Sequence, residues 1–294
     1  MLNRMGWLVA FVVAACSQSP SNQDAPEEWQ PLFNGKDLAG WDIKIAGHPL
    51  NDNYKNTFRV DSGIVRVKYD EYDSFRGKFG HLYYNKPLSY YKVRFQYRFM
   101  GNQIPGAPGW GALNSGVMVH SQLAASVELN QDFPVSLEAQ LLAAPPGEER
   151  TTGNICTPGT LVHMGDTLRK EHCINSTSKS YPVGRWVNAV IEVYGDSLVR
   201  HIIEGDTVLT YTRPLIGGGF VSPDHDWKDA RIDNFQYWLD RENTPLKEGY
   251  IALQAESQPV DFRNMELLNL VGCMDKASKK YRPWFVKSDG ACRD

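Results

Sequence analysis

The sequence predicts an all-β chain folded as a sandwich, and three observations carry that reading. Apolar and polar residues alternate with period two along most of the 294 residues, as in half-buried strands. No window sustains an apolar stripe at i, i+3, i+4 and i+7 over three turns, which excludes long amphipathic helices. Glycine and proline, 25 and 17 in number, interrupt the alternation at short intervals, as turns do between many short strands.

At the N-terminus, Arg4 precedes an apolar run from Met5 to Ala15 and then Cys16. The run is short for a membrane span and has the layout of a signal peptide. Val13-Ala14-Ala15-Cys16 resembles a bacterial lipobox, so residues 1–15 are expected to be removed and Cys16 lipidated. Ordinary cleavage beside an unmodified cysteine is the plainer alternative. Residues 16–28 then form the lipidated cysteine and a polar, proline-containing tether.

The main domain is expected over residues 29–270. "TFRVDSGIVRVKY" (57–69) reads as a hairpin turning at Asp-Ser-Gly, and "YYKVRFQYRF" (90–99) is the cleanest alternating strand. "NSGVMVHSQ" (114–122) and "SLEAQLL" (136–142) follow as strands. "WVNAVIEVYG" (186–195) alternates again, and "LVRHIIEGDTVLTY" (198–211) is a second hairpin. Residues 215–235 form an irregular insertion holding His225 and Trp227. "GYIALQAES" (249–257) and "VDFRNMELLNL" (260–270) are expected to pair with each other. Residues 271–294, Lys-rich and bracketed by cysteines, form a C-terminal appendage.

With Cys16 assigned to the anchor, Cys156, Cys173, Cys273 and Cys292 remain. An even remainder in an exported chain implies disulfides, and of the three connectivities we expect the local one, Cys156–Cys173 and Cys273–Cys292. No C-x-x-C spacing supports a zinc site. The net charge of −3 excludes an electrostatic footprint for nucleic acid.

"WQPLFNGKDLAGWDI", "NSGVMVHSQ", "SLEAQLL" and "GYIALQAESQPVDFRNMEL", in that order, resemble the 3-keto-disaccharide hydrolase domain family over about residues 29–270. The resemblance implies a concanavalin-like jelly roll, similar to the glycoside hydrolases of family 16, with carbohydrate as ligand. It implies cleavage of glycosides whose sugar is oxidised at C3. Family 16 enzymes carry E-x-D-x-x-E on the strand that reads Glu138-Ala139-Gln140-Leu141-Leu142-Ala143 here. Only the first carboxylate is present, whereas the retaining route needs two. A 3-keto sugar offers another route. Its ketone acidifies the C2 proton, a base removes it, and the C1–O bond breaks by elimination before water adds back.

Glu138 is the candidate base, or a ligand; its bland reading is a solvated strand carboxylate. His163, inside the expected Cys156–Cys173 loop, is the candidate catalytic partner, or simply a surface histidine. Gln140 shares the Glu138 face and is a candidate for sugar hydroxyls. His120, where the family commonly has Arg, Gln254, and Glu256, which with Ser257 stands where the family often has His-Gly, are candidate substrate contacts. Arg263 suits an enolate or hydroxyl, or a nearby carboxylate such as Asp261 or Glu256. Trp110, on a Gly/Pro-rich loop, is a candidate stacking platform or an end cap. Asn114, Ser115 and His201 read as structural. No ligand spacing is diagnostic of a metal; a divalent ion is the one cofactor left open.

The expectation is therefore a lipid-anchored protein of the bacterial cell envelope, periplasmic or at the surface, acting on oxidised glycosides made by a separate sugar 3-dehydrogenase. This chain carries no nucleotide fingerprint of its own. A non-catalytic, lectin-like glycan binder is the alternative, and a structural surface lipoprotein is a third.

Overall fold

A computed structural model describes residues 25–221 and 231–292. The signal peptide, Cys16, most of the tether, His225 and Trp227 lie outside the described residues. The chain divides into a unit spanning Glu28–Val271 and a separate C-terminal unit from Gly272. Within the latter, Cys273 and Cys292 are joined by a disulfide, the expected local pairing.

The strands of the large unit, in chain order, are β1 (Gln30–Pro31), β2 (Trp41–Ile45), β3 (Phe58–Asp61), β4 (Ile64–Val67), β5 (Gly80–Tyr84), β6 (Tyr90–Phe99), β7 (Asn114–Ser121), β8 (Leu137–Leu142), β9 (Asn154–Cys156), β10 (Thr160–Met164), β11 (Thr167–Arg169), β12 (Cys173–Ile174), β13 (Val187–Tyr194), β14 (Leu198–Ile203), β15 (Asp206–Ile216), β16 (Tyr250–Ala255) and β17 (Val260–Asn269). A five-residue helix, α1 (Phe235–Leu239), is the one α-helix among the described residues. Two antiparallel sheets result. One, of ten strands, runs β11-β10-β15-β14-β13-β6-β17-β4-β3, with β1 added beside β17; the other, of seven, runs β12-β9-β8-β7-β16-β5-β2. The architecture is the jelly-roll sandwich expected.

Alternation sorts the side chains as the sequence predicts. Along β6, Tyr91, Val93, Phe95, Tyr97 and Phe99 enter the core and the intervening residues face away from it. Leu137, Ala139 and Leu141 of β8 meet Val117 and Val119 of β7 and Leu253 of β16 in the same core. Both predicted hairpins form. Their turns place Ser62-Gly63 and Glu204-Gly205 at positive φ, the backbone hand that two-residue hairpin loops require.

One expected pairing does not occur. β16 pairs with β5 and β7, whereas β17 pairs with β4 and β6 in the opposite sheet. The four residues between them, Glu256–Pro259, cross the sandwich. Tyr69 Oη accepts from Ser257 N–H at 2.9 Å, and Pro259, which has no N–H, offers its carbonyl to Met100. Adjacent alternating runs look the same in sequence whether they form a hairpin or an inter-sheet arch.

Candidate active site

The face of the seven-stranded sheet turned away from the core carries the candidate site. Register places Glu138 of β8 beside Met118 of β7 and Cys156 of β9, and Gln140 beside Gly116 and Asn154. On β16, Ala252 lies beside Met118, so Gln254 and Glu256 follow on the Glu138 side. His81 of β5 lies across from Gln254. Such a face is normally solvated, yet Glu138 is 6% exposed, Glu256 3% and Gln254 0%.

Three connections cover it. Residues 100–113 bring Trp110 and are tied down by Gln103, which donates to Pro108 O and Ser257 Oγ, and by Gln258, whose Oε1 accepts from Leu113 N–H. Residues 122–136 bring Phe133 and are locked by the paired amides of Gln122 and Gln131. The third follows β8 and brings Arg150, whose Nη1 donates to Ala112 O at 2.7 Å. Together they enclose a cavity of about 470 Å³, within the usual range for small-molecule sites, whose walls include Trp110, Phe133, Glu138, Gln140, Arg150 and Glu256. Trp110 is 54% exposed and stacks parallel on Phe79 with centroids 5.7 Å apart, which leaves one ring face open.

The cavity wall, and Gln254 bonded to it through Glu256, carry acceptors that lack donors. Among the described residues, Asn114 Oδ1, Gln254 Oε1 and Glu256 Oε2 are buried with no hydrogen-bond partner. Gln254 Nε2 donates to the other Glu256 oxygen at a long 3.5 Å. Unpaired buried acceptors are costly and mark a place where something else supplies donors. Arg150 holds spare donors: no described residue accepts from its Nε or Nη2.

Burial pushes the Glu138 carboxyl up to about 8. It raises Glu256 well above the usual carboxylate range, the negative charge of Glu138 adds to that rise, and Arg150 opposes it. The two behave as a dyad that cannot readily hold two negative charges. Room for Glu138 comes from Gly116, where a Cβ would lie 2.6 Å from Glu138 Oε1.

Residues 28–268 match the family described as the 3-keto-alpha-glucoside-1,2-lyase-like domain. The chain belongs to that family. Membership places this lyase-like domain among proteins concerned with carbohydrate. No curated protein matches the sequence. Among solved structures, the chain is similar to a candidate glycosyl hydrolase from Parabacteroides distasonis, with 18% identity, a TM-score of 0.46, and 82% of this chain and 94% of that one covered. It is also similar to the β-glucanase of Bacillus licheniformis (12% identity, TM-score 0.44, 84% and 99% covered). A third is the carbohydrate binding module CBM66 of Bacillus subtilis (11%, 0.43, 78% and 96%).

Within the lyase-like domain, Glu138, Gln140, Trp110, Gln254 and Glu256 converge, while His163, His120 and Arg263 do not. His163 lies on β10 of the other sheet, its Nδ1 facing Arg213 O. The stapled loop does reach the rim, but it presents His172 beside the Cys156–Cys173 disulfide. His120 takes φ +49° at a bulge where two residues of β7, Val119 and His120, lie opposite one of β16, Ile251. The extra residue turns its ring inward, where Nε2 meets Gly195 O and the ring edge meets Tyr91. Arg263 is on the outer face of the ten-stranded sheet, bonded to Gln96 and stacked on Trp186. His201 is structural, held between Gly153 O and Tyr211 Oη.

Sequence reasoning missed Arg150, Phe133, Gly116, His81 and His172, and set Asn114 aside as structural. A glycine inside an alternating strand was the one available signal. His81 is fully enclosed, and burial pushes it down to about 3, leaving a neutral imidazole. Glu138, Glu256 and the amide oxygens of Asn114 and Gln254 make an all-oxygen set suited to a hard cation. Among the described residues, no three His, Cys, Asp or Glu side chains gather as a metal centre.

Proposed function

We propose that the protein cleaves 3-keto-glycosides by eliminating the group at C1. The observation that carries this is the buried Glu138–Glu256 pair in a cavity with an open tryptophan face. The second carboxyl missing from β8 is supplied by Glu256, directly after β16 and two strands away in the same sheet, so acid and base are both present without His163.

The two environments divide the roles. Glu256, beside the charge of Glu138, keeps the proton; Glu138 is the base. Trp110 takes the apolar face of the sugar. The orphaned acceptors of Asn114 and Gln254 receive its hydroxyl donors. Glu138 removes the C2 proton, and the electron pair forms an enolate whose oxygen, at C3, faces the spare donors of Arg150. The enolate collapses to a C1=C2 double bond as the C1–O bond breaks. The departing oxygen takes the proton of Glu256, and water adding across C1=C2 completes net hydrolysis. General acid–base groups of this kind contribute about 10²–10⁴-fold each.

The test is to incubate the protein with a 3-keto-glucoside and with the parent glucoside, with and without chelator. Release of the aglycone from the oxidised compound alone is expected, and Glu138→Gln and Glu256→Gln should each lower kcat by about 10²-fold or more. Sugar binding without release from either compound would instead support the glycan-binding reading. Loss with chelator would assign a cation to the oxygen set.

The lipobox-like Val13–Cys16 supports lipid anchoring in the cell envelope, and the two disulfides support an oxidising compartment. Labelling with a radioactive fatty acid, abolished by Cys16→Ser, tests the anchor. A separate sugar 3-dehydrogenase must supply the ketone.

A further inference from the structure

A second cleft, of about 750 Å³, adjoins the catalytic cavity and shares the wall residue Arg150 with it. Its chemistry is different. Besides Arg150 it is lined by Asn154, Glu149, Asn175, Ser178 and Lys179 among others, with Leu142 its one apolar wall residue and no aromatic ring. Its two walls are fastened to each other. Ser180 Oγ accepts from Arg150 N–H and Ser178 Oγ from Thr152 N–H, both at 2.7 Å. Asn154 Oδ1 accepts from Ser176 N–H at 2.8 Å, and Cys173 anchors the second wall to β9 through its disulfide. The cleft is thus held open, and no described residue pairs with the charges of Glu149 and Lys179.

We infer that this cleft binds the group that leaves from C1, and that it selects a polyhydroxylated leaving group, a sugar, over an aryl one. The inference rests on the elimination reading above. In that reading the breaking C1–O bond lies between the reacting ring and the departing group, so the two must occupy adjoining compartments. Arg150, common to both walls, and Asn154 of the outer cleft, bonded to Gln140 of the inner one, form the partition. Asn154 Nδ2 donates to Gln140 Oε1 at 3.0 Å, tying the partition to the Glu138 face. Arg150 and Glu256 both line the inner cavity, which puts the acid that protonates the departing oxygen on the side of the partition residue. The compartments divide by chemistry as well. The inner one offers the aromatic surface on which a pyranose stacks. The outer one offers amides, hydroxyls and charges of both signs, which exchange hydrogen bonds with hydroxyls and give an aryl ring nothing to stack on.

The test compares kcat/KM for a 3-keto-disaccharide with that for a p-nitrophenyl 3-keto-glucoside of the same anomer, in the wild type and in the double variant Asn175→Ala/Lys179→Ala. Both side chains are exposed, so the variant is expected to fold, and its thermal midpoint checks that. The disaccharide-to-aryl ratio should fall at least tenfold in the variant, chiefly through KM for the disaccharide. A ratio that stays the same while both substrates are cleaved overturns the leaving-group site and leaves the elimination reading standing. Cleavage of neither substrate by the wild type overturns the elimination reading, and this inference with it.

Discussion

The outer faces of the two sheets start from the same sequence pattern, a polar residue at every second strand position, and end in opposite states. On the ten-stranded sheet the charges are matched. Asp261, 1% exposed, accepts from Arg66 Nη1 at 2.8 Å and from Arg98 Nη2 at 2.9 Å. Arg94 pairs with Glu266 at 2.7 Å, and Glu192 with both Lys92 and Arg200. Trp186 lies against the guanidiniums of Arg98 and Arg263. On the seven-stranded sheet, two carboxyls and two amides are buried under loops, and Glu256, Asn114 and Gln254 are each left with an acceptor oxygen that has no donor. A polar lattice whose members satisfy each other supports the fold. One that is buried and unsatisfied spends stability on readiness for a ligand. Burial alone would not have told them apart, since Asp261 is more enclosed than Glu138.

Mutations that break this contrast should do so in opposite directions. The largest expected effect is on the matched face: Asp261→Ala strands two arginines and should cost about 2–4 kcal/mol in chemical denaturation, with kcat per folded molecule unaltered. Next is Gly116→Ala, whose methyl intrudes on Glu138. The carboxyl is the flexible end of its side chain, so stability should change little while kcat falls about tenfold or more, because displacement of a reacting group by less than 1 Å is expensive.

Glu138→Gln should sharpen the comparison through pH. A carboxyl whose folded pKa is raised stabilises the fold in its protonated form. That contribution is complete below the ordinary glutamate value of 4.5 and is lost as pH rises through about 8. The amide stays neutral throughout. The variant should therefore match the wild type near pH 4.5 and exceed it in thermal stability by pH 8, by roughly 1 kcal/mol or more. Equal stability at pH 8 would mean the carboxyl is ionised at little cost. The smallest effect is expected for Trp110→Ala. It should raise KM by about fivefold, the scale of one lost stacking contact of roughly 1 kcal/mol, with the melting temperature nearly unchanged because the ring is largely exposed.

Much of the fold was legible because alternation is a local property. Tyr90–Phe99 is a strand with its predicted inward face, and both hairpin turns fall at the predicted residues. The site was legible in part. Glu138 and Gln140 stand out as polar positions on a strand, but a solvated face would read the same. His120 was misplaced because a single extra residue at a bulge inverts the face that period-two counting assigns. His163 was favoured for lying within the disulfide loop, and the same loop brings His172 to the rim instead.

Composition and periodicity by themselves determined that the chain is all-β and where most strands begin and end, and they favoured the local cysteine pairing, one of three possible, that the structure shows. All of these depend on backbone geometry or on partners close in sequence. Only the tertiary structure decided that Glu256 stands with Glu138, that Arg150 faces both, and that an outward sheet face is closed to water. Those outcomes depend on which distant strands pair and on how three loops fold over them, and neither is encoded in the side-chain pattern of any single segment.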